Sequence, residues 1–320
     1  MSPLQGDTRG RQADTPVDIP PRAMKEVLLR VYSQISDDRV LLIAAGITFY
    51  GLLALFPGLA ALVSVYGLFA DPTSVTSHLQ TLSSFLPKEA IDVIGGQLDR
   101  LARLPASRLS VGFIAGLGIA LWSANNGIKA VFEGLNVAYG EKEDRGFLKL
   151  TAISLLFTVG AVGVGILSIA AIAVVPAALA YLGADGAFDV LVRLGRWPLL
   201  LAVLCLVLAL LYRFGPSRRS AKWRWISPGS LTAGILWILV SALFSWYLAN
   251  FGNYNETYGT LGATIVFMMW LWISAIIVLL GAELNAELEH QTERDSTVSG
   301  DKPMGQRGAR MADTVAKGPD

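Results

Sequence analysis

The feature that most constrains this chain is a stretch of 34 residues, Thr151–Ala184, without a single charged side chain. Other apolar runs flank it along most of the sequence, in which 53% of the residues are hydrophobic and 16% are charged. A soluble domain usually has about 25% charged residues. About 20 apolar residues in a helix suffice to cross the hydrocarbon core of a bilayer, which is about 30 Å thick. The chain is therefore predicted to be an integral membrane protein.

The apolar runs predict an all-α fold, a polytopic membrane helix bundle with six transmembrane helices. In chain order these helices are Val40–Phe69, Leu109–Leu135, Leu150–Leu182, Trp197–Phe214, Ser227–Phe251 and Tyr258–Ala286. Residues 25–290 then form one membrane domain. The flanking segments 1–24 and 291–320 carry Pro, Gly, Ser and Thr without apolar periodicity, so both are interpreted as mobile cytoplasmic tails.

Lysine and arginine are distributed unevenly over the predicted loops. The segments before Val40 and after Ala286, the second and fourth loops, and Arg213 beside the fourth loop hold 19 of these residues, whereas the first, third and fifth loops hold six. Cytoplasmic loops retain basic residues in membrane proteins. Both termini are therefore predicted to be cytoplasmic, and the chain is expected to be a multi-pass protein of the bacterial inner (plasma) membrane.

The first loop, on the predicted periplasmic side, contains a further helical pattern. Between Leu86 and Leu104, apolar residues recur at positions 91, 94, 98 and 101 among charged ones. This spacing is typical of an amphipathic helix. Such a helix either caps the bundle or lies on the outer membrane surface.

The first and third predicted helices are longer than a perpendicular span needs, because about 30 residues of helix extend about 45 Å. Pro57 lies in the first and Pro176 in the third. Each proline removes a backbone hydrogen bond and favours a kink. The two interpretations are a tilted, kinked helix, or a helix break whose freed backbone groups line a cavity, as in transporters.

Ionisable groups inside apolar helices are costly and usually face the protein interior. The second predicted helix carries Asn125, Asn126, Lys129 and Glu133. Positions 125, 129 and 133 follow each other at four-residue spacing, so they are expected on one face, with Lys129 and Glu133 able to pair. The cluster either lines a substrate path or consists of a snorkelling lysine with a local salt bridge near the headgroups.

Two further candidates belong to the sixth helix and the loop before it. Tyr258 ends a polar and aromatic group, residues 253–258, which fits either an interfacial aromatic belt or a tight helix start. Glu283 follows an unbroken apolar run. It is expected to pair with Lys129 or with a loop arginine and so to fix two helices together. Packing and a substrate path stay open as roles for both residues.

Other classes of function lack the residues that they need. The net charge of +1 provides no overall field for nucleic acid. The sequence has no GxxxxGK[ST] phosphate loop, no HExxH pair and no GxSxG elbow. One cysteine, Cys205, and two histidines, His78 and His290, do not form a metal cluster. We therefore predict that the chain is not an enzyme and binds no cofactor and no metal.

Three stretches resemble the YihY/BrkB family of bacterial inner-membrane proteins. They read AAGITFYGLLALFPGLAALVSVYG (residues 44–67), LWSANNGIKAVFEGLNVAYGEKEDRGF (121–147) and YGTLGATIVFMMWLWISAIIVLLGAELNAELE (258–289). The YG-x-L start, the WLW step and the LLGAELNAE ending are the most specific features, and the resemblance extends over residues 25–290. The chain departs from some members at Ala54, where they have a serine, so a hydroxyl role at this position does not carry over.

The resemblance implies a six-helix inner-membrane protein with a loosely defined role. Members have been labelled virulence or serum-resistance factors, and some have been proposed to transport lipid-like molecules. An older label, ribonuclease BN, implies tRNA processing. A metal-dependent nuclease needs several His and Asp ligands. The two histidines here are 212 residues apart and are predicted on opposite sides of the membrane, which argues against that label.

The leading hypothesis is a transporter or permease with a lipidic or amphiphilic substrate. The alternative is a structural or regulatory envelope scaffold without transport, and a membrane-associated enzyme is the third. The expected partners are the lipid bilayer, a lipid or amphiphile, and either a second copy of the chain or another envelope protein, but no nucleic acid.

Overall fold

The computed structural model describes residues 9–66, 95, 111–181, 187–251, 261–298 and 300–316. Over these residues the regular secondary structure is helical, apart from one isolated β-bridge between Ala221 and Thr297. A short 3-10 helix, Pro16–Asp18, comes first. The α-helices that follow are α1 (Pro21–Asp37), α2 (Val40–Tyr66), α3 (Val111–Ala138), α4 (Phe147–Tyr181), α5 (Ala187–Phe214), α6 (Trp223–Phe251), α7 (Gly262–Gln291) and α8 (Arg310–Asp313).

The long helices have the composition of membrane spans. Three segments in the described part of the chain are long and apolar enough to cross a bilayer, namely Phe147–Gly165, Trp223–Asn250 and Gly262–Gln291. Val40–Ala54 and Pro198–Phe214 are shorter apolar helices. The prediction of an all-helical membrane protein is confirmed. The number of six spans and the cytoplasmic location of the termini stay predictions.

The helices differ from the predicted spans mainly at their ends. Helix α5 begins at Ala187, whereas the fourth predicted span began at Trp197. Helix α6 begins at Trp223, whereas the fifth predicted span began at Ser227. Apolarity marks only the part of a helix that lipid would surround, so a helix that continues into a polar segment is predicted too short. The amphipathic segment Leu86–Leu104 and Tyr258 lie outside the described residues.

Neither proline that was considered as a helix break ends its helix. Helix α2 continues through Pro57 to Tyr66, and α4 continues through Pro176 to Tyr181. The side chains around both prolines lie outside the described residues. A local kink or cavity at these positions therefore stays a prediction.

The closest helix contact lies where α6 crosses α7 at Gly229 and Gly281. A Cβ atom on Gly229 would collide with the Gly281 carbonyl oxygen, and one on Gly281 would lie 2.8 Å from the Gly229 carbonyl oxygen. The preceding Pro228 has no N–H, and the Gly229 N–H donates to Asn285 Oδ1 at 2.8 Å. Small residues allow this approach, and a side-chain amide joins the two helices across it.

The polar segments at one end of the helices pack together into a folded layer, here called the cap, which comprises residues 9–20, 139–146, 215–222, 292–298 and 300–316. Thr292 Oγ1 donates to the Ala13 carbonyl at 2.7 Å, and the Ala316 N–H donates to the His290 carbonyl at 2.9 Å. The buried Arg307 guanidinium donates to four backbone carbonyls within the C-terminal segment. The interpretation of the tails as mobile therefore needs correction for residues 9–24 and 291–316, because these segments satisfy each other's backbone and the end of α7.

Two ion pairs bind the acidic end of α7, one from the cap and one from α1. Arg218, in the loop between α5 and α6, lies 2.6 Å from Glu289, and both side chains are fully buried. The Arg218 guanidinium also stacks over the Tyr139 ring, 4.2 Å from its centroid. Arg30 of α1 lies 2.5 Å from Glu287. Because removal of either arginine leaves a buried carboxylate, these pairs hold the cap and α1 against the end of α7.

We expect Gly281→Ala to destabilise the protein by about 1–3 kcal/mol, since the added methyl group overpacks a tight contact. It would meet the Tyr212 hydroxyl and the Ala233 Cβ. Gly160→Ala in α4 is the matched control, because no atom lies within 4 Å of its Cβ position. Thermal unfolding in mild detergent measures both variants, and equal melting temperatures would show that the crossing is not tight.

Arg218→Ala is expected to cost about 3–5 kcal/mol of stability, because it leaves the Glu289 carboxylate buried without its cation. Arg294→Ala is the control, since Arg294 is exposed and lies 4.0 Å from an exposed Asp14. Removal of such a surface pair costs about 0–1 kcal/mol. Chemical unfolding of the purified variants tests this difference. A small effect for Arg218→Ala would mean that water reaches Glu289.

Candidate substrate groove between α2 and α3

A groove of about 590 Å³ lies between α2 and α3. It is lined by Ile43, Gly46, Ile47 and Tyr50 from α2 and by Asn126, Lys129, Ala130 and Glu133 from α3. Each set follows the i, i+3, i+4, i+7 spacing, which places its four residues on one helix face. Gly46 and Ala130 are small, so the two faces do not fill the space between them. One wall is therefore mainly apolar and the other mainly polar.

Lys129 is held at this groove by residues of α3 and α4. Its Nζ donates to Thr151 Oγ1 at 3.0 Å and lies 5.2 Å from the Phe147 ring centroid. The Trp122 ring centroid is 5.7 Å away. The ammonium group is thus half-buried against two aromatic faces, which attract a cation. The Lys129 contacts run to α4, and no ion pair joins it to the exposed Glu133 in the described part of the chain.

The structure brings three of the four predicted polar residues of α3 together. Asn126, Lys129 and Glu133 line the groove, whereas Asn125 is fully buried on the face of α3 that carries Phe132. The difference follows from helix geometry, because eight residues at 3.6 per turn rotate about 80° beyond two turns. The amide oxygen and nitrogen of Asn125 have no hydrogen-bond partner among the described residues.

Glu283 does not belong to this groove. It is fully buried in the last third of α7, and its neighbouring charged group is the carboxyl of Asp38, at the joint between α1 and α2. Neither Lys129 nor a loop arginine is paired with it in the described structure. Tyr258 lies outside the described residues, so its predicted role stays a prediction.

Sequence reasoning missed the α2 wall of the groove and the neighbour of Glu283. The spacing of Ile43, Gly46, Ile47 and Tyr50 is visible in the sequence, but an apolar face with one glycine is also what ordinary helix packing requires. The position of Asp38 next to Glu283 depends on how α1 folds back onto α7, and no local sequence pattern predicts such a contact.

Apolar spanning helices and a groove that opens between two of them define the class of protein, an α-helical integral membrane protein. The family model of the virulence factor BrkB matches residues 31–304, and the chain belongs to this family.

Three of its relatives are bacterial proteins that this chain covers over most of their length. The ribonuclease-like protein YfkH of Bacillus subtilis is 34% identical over 77% of this chain and 88% of its own length. The UPF0761 membrane protein MS0032 of Mannheimia succiniciproducens is 26% identical over 80% of this chain and 87% of its own length. The UPF0761 membrane protein NTHI0384 of Haemophilus influenzae is 25% identical over 85% and 98%. No solved structure matches the chain.

Proposed function

We propose that this chain is a multi-pass inner-membrane protein of the transporter or permease type, with a lipidic or amphiphilic substrate that binds in the groove between α2 and α3. The observation that carries the proposal is the composition of this groove. Ile43 and Ile47 offer an apolar wall to a hydrocarbon chain, and Lys129 offers a cation to an anionic headgroup. A substrate with both parts fits a site with both walls.

The surface of α2 beside the groove also suits such a substrate. Leu42, Phe49 and Leu53 are exposed large apolar side chains on this helix. Exposed apolar residues on a spanning helix face lipid, so an amphiphile in the bilayer has a continuous apolar path to the groove. The Lys129 ammonium retains donors that Thr151 does not occupy, because a lysine has three. These donors are available to a phosphate or carboxylate.

We further propose six spans with both termini in the cytoplasm. The contacts of the cap support this arrangement, because they join the four segments in which basic residues concentrate. Arg145 donates to the Gly215 carbonyl at 2.7 Å, and the Arg310 N–H donates to Glu141 at 2.7 Å. Segments in mutual contact lie on one side of the membrane, and the side rich in lysine and arginine is the cytoplasmic one.

We also propose that the chain is not an enzyme. YfkH carries a ribonuclease-like name, but a nuclease would need metal ligands or an equivalent acid–base set. His290 lies beside Glu287 at the edge of the cap, 3.7 Å from its carboxylate, where Arg30 already pairs with the same carboxylate. This geometry favours a structural role for His290.

The direct test of the groove is native mass spectrometry of protein extracted in mild detergent. Wild-type protein should retain a defined anionic lipid or amphiphile, and Lys129→Ala should bind it about 10- to 100-fold more weakly, because a charge-assisted hydrogen bond contributes about 1.5–3 kcal/mol. Lys149→Ala is the matched control, since Lys149 is exposed at the start of α4 and does not line the groove.

The result that contradicts transport is also well defined. Bulk lipid bound equally by wild type, Lys129→Ala and Lys149→Ala would remove the reason to assign a substrate to this groove. Together with a protein partner that co-purifies at fixed stoichiometry, it would favour the envelope scaffold instead.

Labelling of single cysteines in intact cells tests the proposed orientation, starting from a Cys205→Ser background. A cysteine at Asn255 should react with an impermeant thiol reagent, because the fifth loop is proposed to be periplasmic. A cysteine at Ser220, in the cap, should react only after the cells are opened. The reverse pattern would place the termini outside.

A further inference from the structure

The cytoplasmic half of α7 carries three glutamates that are almost completely buried. Glu283, Glu287 and Glu289 are 0%, 1% and 0% exposed. Glu287 pairs with Arg30 and Glu289 pairs with Arg218. Glu283 has no such cation among the described residues, although a buried carboxylate normally requires one.

The neighbours of Glu283 are acidic or neutral. The Asp38 carboxyl lies close enough to interact with it directly, although no hydrogen bond of standard geometry reaches either Glu283 oxygen. Asn285 Nδ2 and the Tyr139 hydroxyl are also buried and unpartnered in the described structure, and the Tyr139 hydroxyl lies beside Asn285. Two further buried polar side chains with unused hydrogen-bonding capacity thus lie in the neighbourhood of Glu283.

The charged groups on every packed element leave this pair uncompensated. Asp37 and Glu287 add negative charge from α1 and α7. Arg30 and His290 are engaged with Glu287, and Arg218 is engaged with Glu289. The guanidinium of Arg310 donates to the Gly140 carbonyl and acts on Asp38 only through space.

Glu283 is fully buried and Asp38 is half-buried. Desolvation of Glu283 and repulsion between the two carboxylates both oppose a second charge on this pair when no cation compensates it. We propose that Asp38 and Glu283 form a proton-binding site, in which one proton taken from water is shared between the two carboxyl groups. Uptake converts one carboxylate into a carboxylic acid that donates a hydrogen bond to the other, and release returns the proton to water. Consistent with this site, burial raises the pKa of Asp38 above its usual 3.8, although its interaction with Glu283 opposes the rise.

The site lies at a joint that leads to the groove. Asp38 is followed by Arg39, whose φ of 51° places a non-glycine residue in the left-handed region, a conformation that costs free energy unless its surroundings maintain it. Helix α2 begins at the next residue, and Ile43 of the groove follows within one turn. Loss of the proton would set two like charges against each other at this joint. This link to the groove rests on the proposed function, whereas the proton site itself does not.

Infrared spectroscopy of the purified protein tests the site directly. At neutral pH, wild type should show the carbonyl stretch of a protonated carboxyl group, shifted in heavy water. Glu283→Gln should lose the intensity of one such group. Glu287→Gln is the matched control and should keep it, because Glu287 is paired with Arg30 and therefore ionised. Asp38→Asn should also keep the band but lose it at lower pH, since the like charge beside Glu283 is gone.

Thermal unfolding against pH gives a second readout. Because the pKa of Asp38 is raised in the folded protein, folding favours the protonated form of this carboxyl group. The resulting contribution to the free energy of unfolding is complete at low pH and is lost as the pH rises through the raised pKa. Wild type should therefore lose stability as the pH rises through the raised pKa of Asp38, Glu283→Gln should have a flatter profile, and Glu287→Gln should keep the slope at lower overall stability.

Three outcomes would overturn the proposal: no protonated-carboxyl band in wild type at neutral pH, a band that survives in Glu283→Gln, or stability that follows sodium concentration and loses this dependence in Glu283→Gln. The last would mean that the pair binds a monovalent cation. If Glu283→Gln does not fold, the shifted titration of Asp38→Asn decides. Failure of amphiphile binding to Lys129 would end the groove proposal and leave all these readouts unchanged.

Discussion

The close approach of α6 and α7 at Gly229 and Gly281 is the contact on which the described structure depends most. Apolar surface does not drive helices together in lipid, since the tails are as apolar as leucine, so close packing and interhelical hydrogen bonds must do so. The bond from the Gly229 N–H to Asn285 and the bond from the Tyr212 hydroxyl to the Val278 carbonyl form at this crossing. With α7 fixed in this way, its glutamates stand where α1 and the cap can pair with them.

The same contact gives a physical reason for the LLGAELNAE ending, which carries the resemblance to the family at sequence level. Gly281 permits the crossing, Asn285 bonds across it, and Glu287 accepts the arginine of α1. Glu283 is the exception within this motif, because its surroundings supply neither a cation nor a hydrogen-bond donor of good geometry among the described residues. Packing or pairing explains why the motif has Gly281, Asn285 and Glu287. Packing alone does not explain why it has a glutamate at position 283.

The sequence predicted those features that depend on local periodicity or on composition. Helix type, the apolar spans and the polar residues of α3 follow from patterns of three or four residues. Positions 125, 129 and 133 were expected on one face of α3, whereas Asn126 lines the groove with Lys129 and Glu133 and Asn125 is buried elsewhere, because a four-residue repeat drifts around the helix. The fold of the tails was missed, since the Arg307 guanidinium binds carbonyls from residue 293 to residue 312 and leaves no signature in composition. The contact of Asp38 with Glu283 is also non-local. Sequence reasoning pairs acidic residues with basic ones, so it does not predict a contact between two acidic residues.

The groove and the carboxyl pair are connected by ordinary side-chain packing. Gly134 of α3 lies against Leu279, Ile43 and Ile47, so the face of α3 that carries Gly134 is packed both on α7, one turn before Glu283, and on the apolar wall of the groove. A shift of α2 at the Arg39 joint would therefore move Ile43 and Ile47 relative to Lys129 and change the width of the groove. Coupling of this kind requires an element with two arrangements that both sites influence. We propose the start of α2 as this element, because Asp38 lies two residues before its first residue, and Ile43 and Ile47 of the groove lie in its first two turns.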